Sequence, residues 1–112
     1  MRLPVLALAL VPAAVLLPAT LSAARAAAEH RVAQKGKTFS QPALTVKAGE
    51  PVVFVNDDAV AHNVFSGTPG AAFNLKVQAP GAESRTTFEK EGTVDVRCAF
   101  HPTMKMTVTV QR

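Results

Sequence analysis

The chain has 112 residues, 48% of them hydrophobic, a formal net charge of +4 and a single cysteine. One cysteine excludes an intramolecular disulfide. The modest basic excess is scattered singly rather than in runs, which gives no support to nucleic-acid binding.

Arg2 forms a short positive start, and Leu3 to Leu21 is apolar apart from Thr20. Small residues follow, ending in Ala26-Ala27-Ala28 before Glu29. This is the pattern of a secretory signal peptide with an A-x-A type cleavage site. Cleavage is expected after Ala28, with Ala23 or Ala26 as alternatives. Residues 1–28 are therefore read as the signal and 29–112 as one small domain. An uncleaved anchor is the competing reading, since about 19 apolar residues nearly span a bilayer; Pro4, Pro12 and Pro18 favour cleavage. Without Arg2 and Arg25 the domain carries 10 Lys/Arg against 8 Asp/Glu. An exported small domain without disulfides needs another source of stability, and a bound metal is one answer. A lone cysteine in an oxidising compartment is a liability unless buried or metal-bound.

From Glu29 the chain reads as a series of short strands. A first strand is expected around His30 to Gln34. His30 is near the new N-terminus and reads as a solvated histidine. Ala43 to Lys47 alternates with Leu44 and Val46 inward, and Ala48-Gly49-Glu50 turns. Pro51 to Asn56, with Val52-Val53-Phe54-Val55, reads as a strand buried on both faces. Asn56-Asp57-Asp58 ends it; the two aspartates cap a turn, shape a docking surface or tune His62. His62 to Ser66 resumes as a strand, and Gly67 to Gly70 is a loop. Ala71 to Gln78 is ambiguous between strand and long connection. Ala79-Pro80-Gly81 turns. Glu83 to Glu89 alternates, with Phe88 opposite Thr87 and Glu89, and Glu91-Gly92 signals a tight hairpin. Thr93 to Cys98 places Val94, Val96 and Cys98 on one face. Lys105 to Gln111 places Met106, Val108 and Val110 inward. No helical period appears beyond the signal. The fold expected is an all-β Greek-key sandwich of about seven to eight strands.

The chemistry concentrates in Cys98-Ala99-Phe100-His101-Pro102-Thr103-Met104. C-x2-H-x2-M falls between two alternating strands, where a tight loop aims three side chains at one point. His62 heads another strand and can lie at the same end of a sandwich. A thiolate and two imidazoles in a plane, with a weak axial thioether, form the ligand set of a blue copper site. Soft sulfur stabilises Cu(I), and imidazole suits both oxidation states. Four filled positions leave none for substrate, which points to electron transfer rather than an enzyme. The axial thioether is expected from Met104, with Met106 as the alternative.

These pieces, with Ala61-His62-Asn63-Val64, resemble the cupredoxin family, the small blue copper proteins, and within it the amicyanin and plastocyanin branch. The likeness spans roughly Lys37 to Arg112. It implies His62, Cys98 and His101 as equatorial copper ligands and Met104 as the axial one. It also implies that the Asn63 side chain ties its strand to the cysteine loop while its amide donates to the Cys98 sulfur. Amicyanins commonly carry proline where Phe100 stands; here Phe100 keeps an N–H and could donate a second bond to that sulfur. Phe65, Pro69 and Pro102 are candidates for an apolar collar around His101. The function implied is a monomeric, periplasmic one-electron carrier. Its donor and acceptor, a cytochrome, dehydrogenase or oxidase, would dock transiently near His101. A copper chaperone or storage protein would use the same ligands. A metal-free adaptor, an oxidase subunit and a Cys98–His101 hydrolase find no further motif in their favour.

Overall fold

The computed structural model describes residues 28–112 together with 1–5, 7, 9 and 12. Most of the expected signal peptide, 1–28, lies outside the described residues. Among the described residues there is no helix, and none long and apolar enough to cross a membrane.

Nine strands follow in order: β1 (His30–Lys35), β2 (Thr38–Phe39), β3 (Ala43–Lys47), β4 (Pro51–Asn56), β5 (His62–Ser66), β6 (Phe73–Gln78), β7 (Glu83–Thr87), β8 (Gly92–Arg97) and β9 (Lys105–Gln111). They form two sheets, ordered β2-β1-β4-β7 and β3-β9-β8-β5-β6. The expected all-β sandwich is present. Two pairings are parallel, β1 with β4 and β3 with β9, so each sheet is mixed. The core lies between the sheets. Val32, Val52 and Phe54 of the first meet Val64, Val94, Val96, Met106, Val108 and Val110 of the second, all buried. Each such side chain contributes about 1.5–3 kcal/mol on burial. β4 is buried along most of its length, as its unbroken apolar run requires.

Three local readings differ. β2 is two residues long, too short to carry a periodic signal, and brings the count to nine. Ala71 to Gln78 resolves into β6, whose alternation is broken by a register shift against β5 between Asn63 and Phe65. Lys76 takes a left-handed φ of 62° there. Glu91-Gly92 makes no hairpin: β7 and β8 belong to different sheets, so this turn carries the chain across the sandwich. Phe88, just after β7, is buried and packs edge-on against Phe73 of β6 in the other sheet at 5.6 Å, so the chain already reaches across the core before β8 begins.

The pairing puts six strand ends, in three pairs, at one end of the sandwich. The end of β8 and the start of β9 meet at Arg97↔Lys105. The start of β5 meets the end of β6 at His62↔Gln78. The end of β4 and the end of β1 meet at Gln34↔Asn56. A buried polar link ties the sheets behind this end. Gln34 Nε2 donates to Gln78 Oε1 at 2.6 Å, and Gln78 Nε2 donates to the Phe54 carbonyl at 3.1 Å. Asn56 Nδ2 donates to the Val60 and Gln78 carbonyls, both at 2.9 Å.

Candidate metal centre

Cys98 follows β8 directly, and the strand phase turns its side chain inward, leaving it 2% exposed. The next six residues fold back on themselves. Met104 N donates to the His101 carbonyl at 2.8 Å, and Cys98 N donates to the Met104 carbonyl at 3.3 Å. These bonds close the loop so that Lys105 can pair with Arg97. Pro102 fixes φ just after His101 and restricts the backbone of His101 itself. His62, the first residue of β5, is fully buried.

The loop and β5 bring three donor atoms together. His62 Nδ1 lies 3.2 Å from His101 Nδ1. Cys98 Sγ lies 3.9 Å from His62 Nδ1 and 3.8 Å from His101 Nδ1. A first-row ion at ordinary metal–nitrogen and metal–sulfur lengths of about 2.0 and 2.3 Å spans a trigonal plane with edges of about 3.5 and 3.7 Å. The observed triangle fits that size, and both imidazoles turn the same nitrogen inward. The donor set, one soft thiolate and two imidazoles, suits copper. Binding there requires the thiol proton, and any proton shared between the two facing nitrogens, to leave.

The support around the triangle is specific. Asn63 N donates to Cys98 Sγ at 3.3 Å. Asn63 Oδ1 accepts the Ala99 amide at 3.3 Å, while its Nδ2 donates to Asn74 Oδ1 at 2.8 Å and to the Lys76 carbonyl at 3.1 Å. One side chain therefore joins β5, the β6 bulge and the cysteine loop. No bond from the Phe100 amide to Sγ accompanies that of Asn63 among the described residues; the Phe100 ring points outward, 49% exposed. Met104 and Met106 are both buried. Met104 belongs to the closed loop, whereas Met106 lies on β9 opposite Val96.

Pro69 stands apart from this group. It lines a depression with Lys90 to Val94 at the other end of the sandwich. β5 runs away from His62, and four steps along it cover about 13 Å, so a residue beyond its end cannot collar His101.

Asp58 contacts His62 directly. Its Oδ2 accepts His62 Nε2 at 2.6 Å. The Lys37 amide foremost, then the His62 ring and the Gly36 amide, hold its carboxyl down at about 2. The spacing of Asp58 and His62 hinted at this link. The two backbone donors come from a hairpin some twenty residues away and leave no trace in the local pattern. His30, read as solvated, is part-buried and lies 3.2 Å from Glu50 Oε1, far from the triangle.

Comparison with known proteins agrees with this chemistry. Residues 26–111 match the model of the copper-binding plastocyanin/azurin family. The chain is 33% identical over 82 residues to the methylamine utilization protein MauL of Methylorubrum extorquens, covering 72% of each chain. It is 37% identical over 78 residues to amicyanin-alpha of the same organism, covering 65% of this chain and 64% of that one. Among solved structures, the purple cupredoxin of Nitrosopumilus maritimus superposes with a TM-score of 0.66 at 28% identity, over 73% of this chain and 99% of the other. With the fold, the donor triangle and the matched residues in agreement, the chain belongs to the plastocyanin/azurin family of copper-binding proteins.

Proposed function

We propose that this protein is a periplasmic one-electron carrier whose copper is held by His62 Nδ1, Cys98 Sγ and His101 Nδ1, with Met104 as the axial ligand. The observation that carries the proposal is the donor triangle, with edges of 3.2 to 3.9 Å between side chains from the start of β5 and from the β8–β9 loop. Bound there, copper supplies a one-electron Cu(I)/Cu(II) couple. The chain's own residues do the rest. β5 and the closed loop hold the donors in one geometry, so little needs to move when charge changes. Asn63 donates to the thiolate sulfur and anchors the loop. Met104 is preferred over Met106 because its backbone is bonded to His101 itself.

His101 is the half-buried member of the set, while His62 is sealed. The exposed Phe100 ring beside it offers an apolar surface for brief docking of a redox partner, such as a cytochrome or dehydrogenase. The named relatives, two of them amicyanins or methylamine-utilization proteins, support this class of partner. Four donors leave no position for a substrate, so no catalytic role is assigned. Residues 1–28 serve as the export signal and 29–112 as the working domain, a monomer. Voltammetry of the purified copper protein tests the function. A reversible one-electron wave, with copper retained against a chelator of modest affinity, is expected. Rapid loss of Cu(I) to that chelator would instead make the protein a copper-delivery module.

A further inference from the structure

β1 and β2 are joined by the two-residue loop Gly36-Lys37, since Lys35 pairs with Thr38. Both loop residues have left-handed φ, 62° and 55°. A two-residue hairpin of this kind demands that conformation, although lysine bears it at a cost. The two loop amides converge on one group. Gly36 N donates to Asp58 Oδ1 at 2.7 Å, and Lys37 N donates to Asp58 Oδ2 at 3.0 Å. Successive amides arranged in this way form an anion-binding concavity. The anion it holds is a side chain of the same protein, and Oδ2 of that side chain meets His62 Nε2 at 2.6 Å. Asp58 N is itself fixed by Asn56 Oδ1 at 2.9 Å, an Asx turn at the end of β4.

We propose that Asp58, clamped by the β1–β2 hairpin tip, is the positioning residue of the metal centre. It holds the His62 proton on Nε2, so that the Nδ1 lone pair faces Cys98 and His101, and its negative charge favours the oxidised metal. The reasoning is local. A carboxylate accepts only, so the short contact makes Nε2 the donor. The single proton of a neutral ring is then used, and Nδ1 is left as the acceptor that a metal requires. A carboxylate behind a ligating imidazole also raises the basicity of that ligand, and such partners are worth about 10–100-fold in metal affinity. A hairpin that supplies no ligand thus bears on the centre from the opposite sheet.

The charge part rests on the copper reading of the site; the tautomer part does not, and the two are measured separately. Long-range proton–nitrogen NMR of the metal-free protein, well above the ordinary histidine pKa of about 6.5, should find the His62 proton on Nε2 alone. Asp58→Asn, with one acceptor oxygen facing three donors, should give a mixed tautomer. Its Cu(II) affinity should fall by about 10–100-fold. Where Cu(I) affinity falls tenfold less, the potential rises by about 59 mV. Lys37→Gly keeps both amides and should leave the tautomer as in wild type, which separates the backbone clamp from the lysine charge. The proposal is overturned if wild-type His62 carries its proton on Nδ1. It is equally overturned if Asp58→Asn leaves either the tautomer or the potential unchanged.

Discussion

Replacing Asn63 by alanine removes the side chain that binds three segments together. The Ala99 amide loses its acceptor, and Asn74 Oδ1 and the Lys76 carbonyl lose their donor. Asn74 Oδ1 still accepts the Lys76 amide at 2.8 Å, so it is not stranded. The Ala99 amide and the Lys76 carbonyl are the groups left without that partner. Each unpaired buried group costs about 1–3 kcal/mol, and their partial exposure favours the lower half of that range. A loss of about 2–4 kcal/mol follows. In a domain of this size 1 kcal/mol moves the midpoint by about 4–8 °C, so thermal melting of the metal-free variant should fall by at least about 8 °C. Asn63→Asp should recover part of the loss, because it keeps an acceptor for Ala99. The metal-free protein is the proper sample, since bound copper would add its own stabilisation. A fall below about 0.5 kcal/mol, the range of ordinary surface substitutions, would refute the claim that Asn63 ties β5 to the cysteine loop.

Met104→Leu keeps the volume of a side chain that is 1% exposed and should cost under about 1.5 kcal/mol in stability. It should nevertheless shift the reduction potential of the copper protein, whereas Met106→Leu should leave the potential in place; the opposite pattern would move the axial ligand to Met106. The Asp58 carboxyl is held at about 2 against an ordinary 3.8. A depressed carboxyl adds stability that is full above the ordinary value and is lost as pH falls through the folded one. Melting of the metal-free protein should therefore drop more steeply between these values than that of Asp58→Asn, and parallel curves would contradict the clamp. Gln78→Leu strips Gln34 of its hydrogen-bond partner in a buried site. It should cost about 1–3 kcal/mol in urea denaturation, and a neutral result would contradict the buried link between the sheets.

Much of this architecture could be read from side-chain period alone. β8 and β9 alternate cleanly, so Cys98 could be placed inward and Met106, Val108 and Val110 in the core. His62 could be placed at the same end because each candidate donor sits where a strand meets a loop. What escaped has a physical cause in each case. β6 hid its alternation behind the bulge at Lys76, where one residue out of phase inverts every later side chain. Glu91-Gly92 has turn chemistry, but chemistry alone does not say whether the next strand pairs with the last or crosses to the other sheet. Pro69 suits a collar by residue type, but distance along β5 puts it at the other end of the sandwich. The clamp on Asp58 joins Gly36 and Lys37 to a residue about twenty positions on, through backbone amides that every sequence possesses. Asn74, which receives the Asn63 amide group, lies in the same stretch of weak pattern.

The central claim is that copper binds through the Cys98 sulfur together with His62 and His101. The direct measurement is the visible and EPR spectrum of the copper-loaded protein beside that of Cys98→Ser. The wild type should show an intense thiolate-to-Cu(II) absorption and the EPR signature of a thiolate-bound copper, both abolished in the variant. Wild-type protein without that absorption, or a variant that retains it, would contradict the account.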